Sequence, residues 1–115
     1  MRRVLLTAVL AAGLLTGAAV AHAAGVRVFV HHKVTDYATW RKTYDAFDAT
    51  RKKLGVTAQA VYRMADDPND VIVTHDFTTL ARAKAFASSP ELKQAMEKSG
   101  VAGPPTIWFT TPALK

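Results

Sequence analysis

The sequence of 115 residues contains no cysteine. Disulfide bonds, thiolate metal ligands and a cysteine nucleophile are therefore excluded, and stability must come from a hydrophobic core or from association with another copy. The sequence also lacks a glycine-rich phosphate loop, a Rossmann fingerprint and a Ser-His-Asp pattern. We therefore expect no nucleotide cofactor, and we predict that the protein works without any cofactor.

Dense positive charge is also scarce. The net charge of +6 includes Arg2 and Arg3 of the N-terminal leader, so +4 remains on the rest of the chain. Arg51, Lys52 and Lys53 form the only tight basic run, and they fall in the last turn of a predicted helix, where cations oppose the helix dipole favourably. Since a nucleic-acid site needs a clustered basic stripe, we do not expect nucleic-acid binding.

Long apolar segments are limited to the N-terminus. A basic leader precedes the apolar run 4–20, and Ala21-His22-Ala23 has the small-residue pattern that signal peptidase reads. We expect residues 1–23 to be a cleaved signal peptide and residues 24–115 to form one domain, in the periplasm or secreted. The alternative is an uncleaved anchor, although a run of about 17 residues lies at the lower limit for spanning a bilayer. After cleavage we expect no membrane contact.

The rest of the chain alternates between strand and helix patterns. The predicted elements are strands at 26–34, 56–64, 71–77 and 106–111, helices at 36–54 and 79–99, and a polar turn at 65–70. Asp36 and Thr79 are predicted helix caps, and Ser89 restarts the second helix after a break. The order β-α-β-β-α-β predicts an α+β, ferredoxin-like fold, in which two helices cover one face of a four-stranded antiparallel sheet.

The other face of that sheet has no cover of its own. In the usual strand order 4-1-3-2, the first and third strands are central neighbours. Their open face would expose apolar and aromatic side chains to water, which a soluble monomer rarely tolerates. We therefore expect a homodimer joined sheet to sheet, with a ligand pocket between the sheets.

Several short strings resemble a known superfamily, and together they extend over nearly all of residues 26–110. They are His32-Lys33-Val34 with Asp36 and Trp40, Arg63 with Asp66-Asp67-Pro68-Asn69-Asp70, Ser89-Pro90-Glu91-Leu92, Met96, Gly100-Val101 and Pro105. With this element order, the chain resembles the dimeric α/β-barrel superfamily of antibiotic-biosynthesis monooxygenases and small bacterial cyclase-like proteins.

The resemblance implies a cofactor-independent monooxygenase or cyclase-like enzyme acting on a small apolar or aromatic compound. His32 matches a histidine of the related strings, and Asp76 matches an acidic position, whereas His75 replaces an apolar or aromatic residue. Haem-degrading relatives use a histidine of the second helical region as the iron ligand, and residues 79–99 contain none.

Three histidines are the candidate catalytic residues: His31, His32 and His75. Because side chains alternate along a strand, one of the adjacent pair shares a face with His75, and the register between the two central strands decides which. An alignment with Phe29 opposite His75 would select His31. Two imidazoles on one face could transfer protons or bind a metal, or they could be ordinary packed histidines. The third metal ligand would have to be Asp76, which alternation puts on the face opposite His75, so we predict no metal site.

Four further residues are candidate ligand contacts: Phe29, Tyr62, Trp108 and Asp76. The aromatic rings suit a planar ligand, but they could equally form the core of a dimer interface. The sequence leaves two functional classes open. One is an exported enzyme with a small-molecule pocket, and the other is a non-catalytic ligand-binding or stress-response module with structural histidines.

Overall fold

The computed structural model describes residues 25–113, so the predicted signal peptide lies outside the described residues. The strands are β1 (Val26–Val34), β2 (Ala58–Met64), β3 (Asp67–Phe77) and β4 (Val101–Thr110). The helices are α1 (Tyr37–Ala46), α2 (Asp48–Lys53), α3 (Leu80–Ala87) and α4 (Pro90–Lys98). The predicted order is confirmed, with each helical region divided into two helices.

The strands form one sheet in the order β2-β3-β1-β4, and every neighbouring pair is antiparallel. This is the predicted order 4-1-3-2 read from the other edge. The chain therefore has the α+β, ferredoxin-like fold expected from its sequence. The central strands β1 and β3 carry the three candidate histidines.

The predicted caps begin the helices. The side chains of Asp36, Thr79 and Ser89 accept hydrogen bonds from backbone N–H groups three residues later. The expected single helix 36–54 divides at Phe47, although helical hydrogen bonding continues, because the Arg51 N–H donates to the Phe47 carbonyl at 2.9 Å.

Three strands begin elsewhere than predicted, and the smallest difference is at β2, which begins at Ala58 rather than at 56. The expected turn 65–70 shrinks to two residues, since β3 begins at Asp67. Two polar side chains of the expected turn form hydrogen bonds with residues far away in the sequence. Asn69 Oδ1 accepts a hydrogen bond from the Tyr37 N–H at 2.9 Å, and Asp70 pairs with His31. The last strand begins at Val101 rather than at 106, because β4 is an edge strand that tolerates the missing N–H groups of its two prolines.

The hydrophobic core lies between one face of the sheet and the helices. Alternate residues of β1 and β3 point into it, among them Val28, Val73 and Phe77, and they pack against helix residues such as Trp40 and Phe86. The opposite face, which we call the open face, is uncovered in the single chain. Within residues 25–113, no helix is both long enough and apolar enough to cross a bilayer.

Gly100 connects α4 to β4, and substitutions at this position test the local backbone conformation. Its φ is +80°, and a Cβ there would lie 2.8 Å from Thr35 Oγ1. Gly103 has a φ of +90° but open space around it. We expect Gly100→Ala to lower the free energy of unfolding by about 2 kcal/mol and Gly103→Ala by about 1 kcal/mol, since only the first adds a clash to the backbone strain. Urea denaturation measures the free energy of unfolding of both variants. Adding Thr35→Ala to Gly100→Ala should remove the clash, so that its loss falls to that of Gly103→Ala. Equal losses in the two single variants would contradict the clash.

Candidate functional site

The register between β1 and β3 decides which histidines lie together. Val28 is opposite His75, and His32 is opposite Val71, so His32 and His75 share the helix-covered face. The expected alignment of Phe29 with His75, which would have joined His31 to His75, is wrong. That alignment would have put Asp76 on the buried face beside the valines of β1, at a high desolvation cost.

A cavity of about 50 Å³ lies between the sheet and the helices α1, α2 and α4. Most of its lining is apolar. The lining residues are Val30, His32, Trp40, Thr43, Tyr44, Phe47, Arg51, Val73, His75, Leu92, Ala95, Met96, Ser99 and Ile107. The space holds about four water molecules. A pocket therefore lies inside the single chain, beneath the helices. The expected pocket between two sheets stays a prediction.

The two buried histidines occupy opposite ends of this cavity. On the helix-covered face, one pair of residues, Val30 and Val73, lies between the rung of His32 and the rung of His75. Four residues of extended chain separate the two rungs, about 13 Å along the strands. The imidazoles are therefore too far apart to share a small metal ion, and residues 25–113 contain no group of three metal-ligating side chains.

His32 is 7% exposed, and neither of its ring nitrogens has a hydrogen-bond partner. Its ring is 5.7 Å from the indole of Trp40. Burial lowers the pKa of His32 to about 4, and the neighbouring His31 adds to the effect. His32 is therefore a neutral imidazole at pH 7, with a donor and an acceptor available to a molecule in the cavity.

His75 is 5% exposed, and its Nδ1 has no partner. Its ring packs 4.9 Å from that of Phe86. Burial lowers the pKa of His75 to about 4, and the positive charge of Arg51 lowers it further. Like His32, this imidazole is neutral at pH 7 and only weakly basic.

The sequence analysis missed Arg51 and Tyr44 as site residues. Arg51 is only 2% exposed, its guanidinium lies 3.8 Å from the centre of the Tyr44 ring, and neither Arg51 Nε nor the Tyr44 hydroxyl has a partner. Burial raises the pKa of Tyr44. A signal existed in the sequence, because Arg51 completes the apolar stripe of the first helical region between Phe47 and Leu54, at helical spacing.

The other predicted site residues lie on the open face. Phe29, His31, Tyr62, Trp108 and Asp76 all point away from the cavity because they alternate with its lining residues. The expectation that Phe29 and His31 would share the face of His75 is therefore wrong.

Polar residues of the open face pair with one another. Arg27 donates two hydrogen bonds to Asp76, at 2.8 and 3.0 Å, and His31 Nε2 is 2.6 Å from Asp70 Oδ1. The ring of Trp108 is stacked with that of His31 at 6.3 Å. Asp76 is thus committed to an ion pair on the open face.

No family model and no curated protein matches this sequence. Solved structures do match. SnoaB from Streptomyces nogalater, a cofactor-independent oxygenase, superimposes with a TM-score of 0.67 at 12% identity, covering 81% of this chain and 97% of SnoaB. The chain has the fold of the antibiotic-biosynthesis monooxygenases. ActVA-Orf6 of Streptomyces coelicolor, a monooxygenase in complex with nanaomycin D, gives a TM-score of 0.60 at 18% identity, over 80% of this chain and 90% of its own.

Rv0793 from Mycobacterium tuberculosis is a third similar structure, with a TM-score of 0.60 at 13% identity, covering 79% of this chain and 97% of Rv0793. The resemblance inferred from the sequence is thus confirmed at the level of the fold. Identities this low carry over no activity or substrate.

The two neutral histidines predict an acid sensitivity. The pKa of His75 is about 4 in the folded state and about 6.5 in the unfolded chain, so protons bind preferentially to the unfolded chain between these values. The free energy of unfolding is therefore unaffected by this group above pH 6.5 and decreases as the pH falls towards 4. When the pH falls from about 7.5 to 5, we expect the free energy of unfolding of His75→Phe to decrease by about 2 kcal/mol less than that of the wild type. Urea denaturation at both pH values measures it. Tyr62→Phe is the control, since it changes an exposed side chain and leaves every histidine in place. An unchanged pH dependence in His75→Phe would contradict the assignment.

Proposed function

We propose that this protein binds a small, largely apolar or aromatic molecule in the cavity and oxidises it with O2 without a cofactor. One observation carries the proposal: buried polar atoms of His32, His75, Tyr44 and Arg51 surround one apolar cavity and have no partner among the described residues. Buried polar groups are nearly always hydrogen-bonded, so unpartnered ones around a cavity favour an occupant that satisfies them.

Binding of a ring requires the cavity to widen. A cavity of about 150 Å³ accommodates benzene, and this one is about a third of that volume. The helix α4 is the wall best suited to move, because none of its residues is buried and it contributes the flexible side chain of Met96. We propose that α4 shifts outward when the ligand enters.

The chemistry proposed is a monooxygenation in which the substrate supplies both electrons. A CH2 group next to an electron-withdrawing ring loses a proton, the carbanion reduces O2, and the products are a C=O group and water. A neutral imidazole can accept the first proton, although a pKa of about 4 makes it a weak base until an anion forms beside it. The fold shared with SnoaB, described as a cofactor-independent oxygenase, supports this class of reaction.

The deciding experiment is capture of small molecules from a periplasmic extract by the protein, followed by incubation of the captured compound with fresh protein under air and under argon. Mass spectrometry measures the compound before and after. We expect conversion under air only, with a product 14 Da heavier, the change of CH2 to C=O. A compound that returns unchanged would reject the enzyme and leave the alternative, a non-catalytic binding module.

Two variants locate the binding site in the capture experiment. Ala95 lines the cavity, so Ala95→Phe should fill it and abolish capture, whereas Tyr62→Ala changes only the open face and should leave capture intact. Capture that is lost in Tyr62→Ala and retained in Ala95→Phe would move the site to the open face, where the sequence analysis had expected it.

We also propose that two copies associate through their open faces. Tyr62 and Trp108 are 58% and 47% exposed on this face, with Phe29 beside Trp108. Large exposed aromatic side chains on one flat face are typical of an interface. In the proposed homodimer the His31–Asp70 and Arg27–Asp76 pairs would lie in the interface as well.

The dimer is tested by Trp108→Glu. A carboxylate on each copy would be buried or would face its counterpart across the interface, so we expect the variant to be a folded monomer. Light scattering at micromolar concentration measures the mass, and circular dichroism checks the fold. Lys53→Glu, on the exposed side of α2, is the charge control and should remain dimeric. A wild-type monomer at this concentration would overturn the dimer without affecting the cavity.

Export remains a proposal that rests on the leader alone. We propose cleavage after Ala23 and release into the periplasm or the medium. N-terminal sequencing of the protein recovered from these fractions tests it, and an intact leader retained in the membrane fraction would instead indicate an anchor.

A further inference from the structure

We infer that the ligand of the cavity carries one oxyanion, a carboxylate or an ionised phenol or enol, and that Arg51 binds it. This inference rests on the proposed function, because it assumes that the cavity is a binding site. It adds the charge of the ligand and the residue that recognises it.

The charge balance of the cavity is the first support. Arg51 is the only cationic side chain of the lining, and the lining contains no aspartate or glutamate. Both histidines are neutral at pH 7. An arginine that is 98% buried therefore brings one positive charge to an otherwise uncharged, apolar space. Such a charge is costly unless an anion compensates it.

The existing counter-ion of Arg51 is weak. Its Nη2 is 3.4 Å from Asp48 Oδ1, which is long for a charged hydrogen bond. The same carboxylate accepts from Gln59 Nε2 at 2.7 Å and lies 3.2 Å from Lys52 Nζ, and its side chain is 41% exposed. Asp48 is thus shared among three donors and sits towards solvent, so much of the charge of Arg51 remains uncompensated.

The unpartnered donors are the second support. Arg51 Nε is buried without an acceptor, and the nearby Tyr44 hydroxyl is buried without a partner as well. The Tyr44 ring packs against the guanidinium, which holds its plane in place. An oxyanion accepting from Nε, with the hydroxyl as a second donor, would satisfy both groups at once.

The rest of the lining determines the remainder of the ligand. Val30, Val73, Leu92, Met96 and Ile107 offer only apolar contacts. The ligand is therefore amphiphilic, with one anionic oxygen group at the Arg51 wall. Its body is largely apolar or aromatic and lies in the part of the cavity that the neutral imidazoles of His32 and His75 also line.

Matched pairs of probes test the charge. Benzoate and benzamide have nearly the same shape, as do 4-nitrophenol and 4-nitroaniline, and in each pair only the first becomes an anion. Titration calorimetry at about pH 8 measures all four. We expect each anion to bind at least about tenfold tighter than its neutral partner, the effect of one charged hydrogen bond. The benzoate and nitrophenol arms separate carboxylate from phenolate, and the nitrophenol absorption spectrum reports its bound ionisation state.

Variants of Arg51 assign the preference to this residue. Arg51→Met should reduce the preference to less than about twofold, and Arg51→Lys should keep part of it because the charge remains. Lys53→Met removes the same charge from the exposed side of the same helix and should keep the full preference. Loss of the preference in Lys53→Met as well would show a general effect of net charge and would overturn the role of Arg51.

The outcomes separate this inference from the proposed function. If the wild type binds anionic and neutral probes equally, the inference is wrong, although the cavity still binds small molecules. If no probe of either kind changes the NMR signals of the cavity residues in a titration, the proposed binding function is wrong and so is the inference. If Arg51→Met does not fold, the inference is still tested by the preference of the wild type for anionic probes and by the partial retention of that preference in Arg51→Lys.

Discussion

The register between β1 and β3 is the constraint on which the rest of this structure depends. It puts Arg27 opposite Asp76, where the two side chains form a bidentate ion pair on the open face, and the valines of both strands on the helix-covered face. A slip of one residue would exchange the two faces of β3 relative to β1. It would bury Asp76 and send Val73 to the open face, so burial and charge specify the same alignment. The positions of His32 and His75 in the cavity follow from it.

A small cavity with mostly apolar walls then controls the chemistry of the polar groups around it. Burial keeps both imidazoles neutral by lowering their pKa values, and the nearby positive charge of Arg51 lowers the pKa of His75 further. These groups do not satisfy one another, because the sheet holds the histidines at opposite ends and aromatic rings flank the guanidinium. The same packing that stabilises the helices on the sheet thus leaves the polar groups available to a ligand.

Local signals predicted most of the secondary structure. The caps at Asp36, Thr79 and Ser89 depend on a few neighbouring residues, so they could be located from the sequence. The boundaries that were missed depend on distant partners. Asp67 to Asp70 have the composition of a turn, but they extend β3 because Asn69 and Asp70 bond to Tyr37 and His31, more than thirty residues earlier in the chain.

The sequence by itself determined the order of the elements, the ferredoxin-like fold and a set of three candidate histidines, of which His32 and His75 line the cavity. It also determined that Phe29 and His31 share one face of β1, since alternation within a strand is a local property. Only the tertiary structure decided which histidine accompanies His75 and that the cavity lies beneath the helices. The sequence indicated only that Arg51 is a cation near the end of a helix, and the tertiary structure shows that its side chain is buried. The reason is that register and burial come from contacts between segments far apart in the chain, and no local pattern encodes them.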